Sequence, residues 1–224
     1  MPTRLVSELL AAIVPPACVA CRLPLPRADL RLCAGCTRAL PWLPGRLCLR
    51  CALPGHRRGC PAAGAAFVRA WAPLAYEGVA RDLVGALKFR GALPVATLMA
   101  AHVAANLPRD LRTGVLVPLP PHPERRRRRG FDPAAELTAA LVPRLRLPTR
   151  ECLRRRDRES QVGASRAQRR RAGRLAIGLR APPPARALLV DDVHTTGATL
   201  DACARALRAG GCREVVAITY ARTL

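Results

Sequence analysis

Residues 185–221 read ARALLVDDVHTTGATLDACARALRAGGCREVVAITYA. Two aliphatic runs, 185–193 and 214–221, flank a stretch at 198–211 that has helical character and ends in two glycines. Each run has a continuously apolar centre, 187–190 and 215–218, instead of an alternating one, which is the pattern of a strand buried on both faces. Strand, helix and strand in succession predict a parallel sheet covered by helices on both sides, so the expected fold class is α/β.

The same texture extends upstream to Ala66. FVRAWAPLAY (67–76) reads as a strand. Val79, Leu83, Ala86 and Leu87 share one face of a helix over 76–91 that stops at Gly91. A second helix spans 93–108 with a proline in its first turn, and 114–120 is a short buried strand halted by prolines. Asp132 caps a third helix over 132–145. Residues 153–174 lack apolar periodicity and predict a long mobile loop. Together, 66–224 form one expected domain.

Asp191 and Asp192 repel each other, yet they follow an interior strand. In parallel sheets, ligands bind beyond the carboxyl ends of the strands, where this pair falls. Thr195, Thr196, Gly197, Ala198 and Thr199 then run into a helix N-terminus. Backbone N–H groups, the helix dipole and three hydroxyls there make a cradle for a phosphate monoester, and Gly197 permits close backbone approach. The two carboxylates suit the vicinal hydroxyls of a ribose and a divalent cation bridging sugar and diphosphate. A plain helix cap by Asp192 or Thr195 accounts for one acid and one hydroxyl, not for the whole string. The stretch reads as a device for ribose 5-phosphate.

The 224 residues carry a formal charge of +23, and all but one of the 38 basic residues are arginine. Abundant Ala, Arg and Pro point to GC-rich coding, so much of this charge is background. Arginine runs at 125–129, 154–156 and 169–171 stand out and suit polyanions: phosphates, pyrophosphate or a nucleic-acid backbone. Aromatics at 3% leave little for base stacking. The one lysine, Lys88, is kept where arginine prevails, and a compact ammonium is not interchangeable with a guanidinium at a tight phosphate contact. It is a candidate diphosphate ligand, against the plainer reading of a lysine on a solvated face. No apolar run approaches the ~18 residues of a membrane span. Ser7 and Glu8 interrupt the apolar start, so 1–14 predicts a short amphipathic helix and a cytoplasmic protein.

Cys18, Cys21, Cys33, Cys36, Cys48, Cys51 and Cys60 crowd residues 15–63. The first six form three CxxC pairs, and two such pairs complete a tetrahedral zinc shell. The simplest pairing gives one ion Cys18, Cys21, Cys33 and Cys36, with an interleaved pairing as the alternative. A second ion would take Cys48, Cys51 and Cys60; Ala63 stands where a regular pattern puts cysteine, so either His56 is the fourth ligand or it is an exposed histidine beside a degenerate second site. The segment has too few aliphatic runs for its own core, so structural zinc would supply the folding energy.

VDDVHTTGAT (190–199) resembles the phosphoribosyl-pyrophosphate (PRPP) signature of type I phosphoribosyltransferases. The chain as a whole resembles the ComF family of competence and DNA-utilisation proteins, through its Cys pairs, YEG…LKFRG (76–91), VPLP…RRRGF (117–131), the Arg/Gln loop and that signature. The resemblance implies a zinc ribbon ahead of a phosphoribosyltransferase-like sheet domain. It assigns the ribose hydroxyls to Asp191 and Asp192, and the 5-phosphate to Thr195 through Thr199. Val117–Pro120, with Pro118 and Leu119, would correspond to the pyrophosphate loop, joined by Arg129. Gln161 and Arg169 fit the family's flexible loop. Asp132-Pro133 replaces a usual Asn-Gln, and Ala172 a common Asn, so the acceptor side departs from the pattern more than the PRPP side.

Two functions follow as expectations. One is a Mg²⁺-dependent phosphoribosyl transfer from PRPP, in DNA uptake or nucleotide salvage. The other is a non-catalytic competence factor that binds single-stranded DNA through its arginine clusters, alongside other competence proteins, and uses the PRPP site for sensing.

Overall fold

The computed structural model describes residues 16–43, 45–55, 59–155 and 176–224. The expected helix over 1–14, most of the loop over 153–174 and His56 lie outside these residues. The cysteine-rich segment carries a short helix, α1 (Ala34–Arg38), after the Cys18–Cys21 turn. Strands β1 (Arg69–Trp71) and β2 (Leu74–Ala75) follow, then helices α2 (Gly78–Arg90) and α3 (Pro94–Asn106). Next come β3 (Val115–Pro118), α4 (Pro123–Arg129) and α5 (Pro133–Leu145). A two-stranded ribbon, β4 (Leu153–Arg155) with β5 (Ile177–Leu179), precedes β6 (Arg186–His194), α6 (Ala198–Ala209) and β7 (Glu214–Arg222).

The main sheet runs β1-β7-β6-β3, with β2 also on β7, and every pairing in it is parallel. The two strands read from 185–221 are its centre, in register from Arg186↔Glu214 to His194↔Arg222. Their side chains are almost all buried, as expected for strands covered on both faces. Leu188, Val190, Val216 and Ile218 face a core built with α2, α3 and α5. Ala187, Leu189, Val215 and Ala217 face the other core, where Leu200, Cys203, Ala204 and Leu207 form the buried stripe of α6. Each wholly buried Leu or Val there contributes about 1.5–3 kcal/mol.

The two halves of the cysteine-rich segment join different cores. Cys18 packs with the α2–α3 side and Cys51 with the α6 side. The segment between them shields the sheet edge: Ala75 N–H donates to Pro41 O and Leu43 N–H to Pro73 O, both at 2.9 Å.

Two expectations need correction, and one helix was not anticipated. The strand over 67–76 is two short strands, broken at Ala72-Pro73, because proline has no N–H for the ladder. The arginine run forms α4, which no apolar period could announce; Pro123 opens it and Gly130, at φ +79°, closes it. The start of the expected loop, 153–155, is strand β4, paired antiparallel with β5.

Candidate functional site

Both acids lie in β6 near its carboxyl end, and the period-two alternation of a strand sends them to opposite faces. Asp192 turns towards α2, where Lys88 Nζ stands 2.7 Å from its Oδ2. Asp191 turns towards α6 and β4, within electrostatic reach of Cys203 and Arg155. Its Oδ1 accepts from the Asp192 N–H at 2.8 Å. Burial, and then the Asp192 carboxylate, push Asp191 well above the ordinary carboxylate range. An acid in that condition gains from hydroxyl donors or a cation. Asp132, the side-chain cap of α5, is raised to about 6 by burial, with the Asp192 charge adding to the effect. Three carboxylates therefore crowd one end of the sheet, with Lys88 and Arg155 among them.

The loop after β6 brings Thr195 through Thr199 together at the start of α6, a helix of 12 residues. Thr195 and Thr196 are exposed, and Thr196 Oγ1 accepts from the Ala198 N–H at 3.3 Å. Gly197 has φ +79°, and a Cβ there would stand 2.8 Å from His194 Nε2. Glycine is thus required twice, for its backbone angle and for the imidazole beneath it. That imidazole is 2% exposed and meets Phe67 edge-on at 6.1 Å. Burial, then the Arg222 charge, lower its pKa to about 4, so His194 is neutral at pH 7.

At the end of β3 the geometry is restrictive. The Leu119 N–H donates to Val190 O at 3.1 Å, and Pro118, Pro120 and Pro121 have none. Pro118 through Pro121 thus present no unpaired backbone N–H, and the groups beside them are cationic. Arg155 holds Pro120 O through its Nε at 3.1 Å, and burial lowers its pKa. Arg129 lies over the exposed Phe89 ring at 5.1 Å, next to Lys88 in sequence. A concavity of about 480 Å³ opens beside them, lined by Pro121, Pro123, Arg126, Arg127 and Gly130. Gln161, Arg169 and Ala172 lie outside the described residues.

The cysteines form two clusters, Cys18–Cys21–Cys33–Cys36 and Cys48–Cys51–Cys60, with all ligand atoms in each within 4.8 Å of one another. The pairing is sequential, not interleaved. The turns of Cys18–Cys21 and Cys48–Cys51 are copies. Cys18 N–H donates to Leu23 O at 2.8 Å and Cys48 N–H to Leu53 O at 2.9 Å. The residue after each second cysteine, Arg22 or Ala52, is left-handed. Sulfur separations of 3.7 Å (Cys21–Cys33) and 3.8 Å (Cys48–Cys60) match the ~3.8 Å edge of a tetrahedron with Zn–S near 2.3 Å. They are far from the ~2.05 Å of a disulfide. Burial opposes ionisation of Cys18, but N–H donors led by Cys33 outweigh it and lower the thiol to about 6. Burial and its three sulfur neighbours raise Cys36 to about 12. Four thiols so placed cannot all ionise without a cation between them. Both donor sets fit zinc, the second with three ligands among the described residues.

Sequence reasoning named Arg155 only within the 154–156 run suited to polyanions, and missed Asp132 as part of the acidic group, His194 and Arg222. Arg222 carried a signal, a charged residue directly after the apolar run of β7.

The chain matches no protein-family profile and no curated protein. Among solved structures, glutamine PRPP amidotransferase from B. subtilis, complexed with ADP and GMP, gives a TM-score of 0.39 at 18% identity over 55% of this chain and 25% of that one. A structure of the allosteric regulatory enzyme of purine biosynthesis gives 0.39 at 16% identity, over 55% of this chain and 24% of that one. Orotate phosphoribosyltransferase from Aeropyrum pernix gives 0.36 at 21% identity, over 62% of each chain. The chain spans about a quarter of the length of the first two. No helix among the described residues is long and apolar enough to cross a membrane.

Proposed function

We propose that the chain binds PRPP with Mg²⁺, as a ComF-type phosphoribosyltransferase-like protein with a zinc-holding N-terminal module. The observation that carries this reading is the placement of Asp191 and Asp192 directly before an exposed hydroxyl loop at the N-terminus of α6. The loop's hydroxyls and helix amides take the 5-phosphate, with Gly197 allowing the approach. A ribose lying across the end of β6 reaches both carboxylates, although they face opposite ways. Bound Mg²⁺ would neutralise charge on the diphosphate and draw on these hard oxygen ligands. Lys88 and Arg155 stand nearest the acids and would receive the diphosphate, with Arg129 beyond them. In transfer, the ribose C1–diphosphate oxygen bond breaks with its electron pair leaving on the diphosphate, and a bond from C1 to the acceptor forms. The cations stabilise that departing charge.

Calorimetry with PRPP, with and without Mg²⁺, tests the binding, and pyrophosphate release over a panel of nucleobases tests the turnover. Micromolar Mg²⁺-dependent binding that Asp191→Ala with Asp192→Ala abolishes is expected. No binding in the unaltered chain ends this reading.

Helix α4 favours a second role, because four of its arginines, Arg125–Arg128, are exposed in succession. They suit the backbone of single-stranded DNA, as part of DNA uptake. A steep fall of single-strand affinity with salt, lost when these arginines are neutralised, is the expected result. PRPP binding without turnover would favour the sensing form of this second role.

A further inference from the structure

Arg222, the last residue of β7, is 5% exposed and reaches in two directions. Its Nε donates to Cys51 O at 2.8 Å, across 171 residues of sequence. Its Nη1 shares its hydrogens among His194 O at 2.8 Å, Thr195 O at 2.5 Å and Thr223 O at 2.7 Å. One buried guanidinium thus joins the turn of the second cysteine cluster to the loop ahead of α6. A separate link runs beside it: Asp201, in the first turn of α6, accepts from the Ala66 N–H at 2.7 Å. Residues 62–65 are in turn held to the Cys48–Cys51 turn by Arg50, which donates to the carbonyls of Ala62, Ala63 and Ala65, each at 3.0 Å.

We propose that Arg222 is a positioning residue through which metal binding at Cys48, Cys51 and Cys60 sets the anion affinity of the loop over residues 194–199. With the metal bound, the Cys51 carbonyl is fixed by the coordination of its own side chain, and it holds Arg222 Nε. The guanidinium then fixes the carbonyls of His194 and Thr195, which orients the following amides towards the phosphate. Without the metal, that turn keeps backbone hydrogen bonds such as Cys48 N–H to Leu53 O and Ala52 N–H to Cys48 O, but loses the link through the Cys51 side chain. Its three sulfurs, gathered within 4.8 Å, are then no longer tied to one another. The Cys51 carbonyl then drifts, and a buried guanidinium that loses an acceptor seeks another arrangement. The loop loses its register as a consequence. A uniformly structural staple would stabilise the fold without linking metal to ligand; a coupled one links them reciprocally.

The inference rests on the PRPP reading for its ligand but not for its mechanical part, and the test separates the two. Zinc-loaded wild type, Cys60→Ser, Arg222→Met and the double variant are compared by metal content, hydrogen exchange and calorimetry with Mg²⁺ and PRPP. Cys60→Ser is expected to lose one metal equivalent, to speed amide exchange at 195–199 at least tenfold, and to leave 115–118 unchanged. It is also expected to weaken PRPP about tenfold in the Arg222 background and less than twofold in the Arg222→Met background. Equal losses in both backgrounds, or no change at 195–199, overturn the coupling. If wild type binds no PRPP, the functional reading falls while the exchange data still decide the coupling. If Arg222→Met does not fold, the exchange comparison of wild type with Cys60→Ser decides alone.

Discussion

Lys88 Nζ lies 2.7 Å from Asp192 Oδ2, joining the last turn of α2 to the carboxyl end of β6. The Asp192 side chain is 6% exposed and that of Lys88 is 24%, and Oδ2 has no well-aimed hydrogen bond from any other group among the described residues. Removing one partner of such a pair strands the other charge, which costs about 3–5 kcal/mol when both are buried. Partial exposure of Lys88 lowers that figure. Lys88→Met is expected to destabilise the chain by about 2 kcal/mol in urea unfolding. Lys88→Met combined with Asp192→Asn should recover most of the loss, because no charge is then stranded. If the two losses simply add, the pair contributes nothing specific.

Asp132 makes stability depend on acid pH. Burial raises its pKa from 3.8 to about 6, with help from Asp192. The folded chain therefore holds a proton that the unfolded chain releases across that window. Stability attributable to Asp132 falls as pH rises through it and is level above. Asparagine caps a helix about as well as aspartate, so Asp132→Asn isolates the charge. The variant is expected to be more stable than wild type by about 1–2 kcal/mol at pH 7.5, after discounting for solvent screening. Near pH 4 the advantage should shrink. A difference that is constant with pH would assign the effect to something other than titration.

The β6–α6–β7 unit was legible because its strands are unbroken aliphatic runs and α6 keeps an apolar stripe of regular period. Local pattern suffices where each element buries one continuous face. It fails at α4, whose five arginines obey no apolar period and whose ends alone, Pro123 and Gly130, betray a helix. It also fails for β4, which needs a partner more than twenty residues away to be a strand. The turn from Thr195 into α6 could be read locally, as could the cysteine turns, since both are built from residues close in sequence. Arg222 and Cys51 could not be connected, because nothing local relates residues 171 positions apart.

Gly197 is expected to tolerate no side chain. Alanine would have to adopt φ near +79° and would bring its Cβ within 2.8 Å of His194 Nε2. The backbone angle alone costs about 1 kcal/mol. The imidazole cannot readily yield, as it is packed against Phe67 in the core. Gly197→Ala should therefore lower stability by about 1–2 kcal/mol and weaken PRPP at least tenfold in calorimetry. Wild-type affinity in a folded variant would show that the loop's close approach is not used by the ligand.

The two cysteine clusters should differ in how they hold metal. Among the described residues, the first presents four sulfurs, Cys18, Cys21, Cys33 and Cys36, and the second three, Cys48, Cys51 and Cys60. A four-thiolate shell is closed by sulfur alone, whereas three thiolates leave the fourth position to a harder or outside ligand. Purified chain is expected to carry zinc, and graded chelation should remove the ion of the second cluster first. Loss of that ion should loosen Cys51 and the α6 side of the sheet, while loss of the first ion loosens Cys18 and the α2–α3 side, since the clusters join different cores. Cobalt substitution reads the ligand sets directly, because thiolate-to-metal absorption scales with the number of sulfurs. Cys36→Ser should diminish that absorption and destabilise folding, as structural zinc supplies folding free energy in a module with so small a core of its own. Metal-free protein with unchanged unfolding behaviour would remove zinc from the account of this fold.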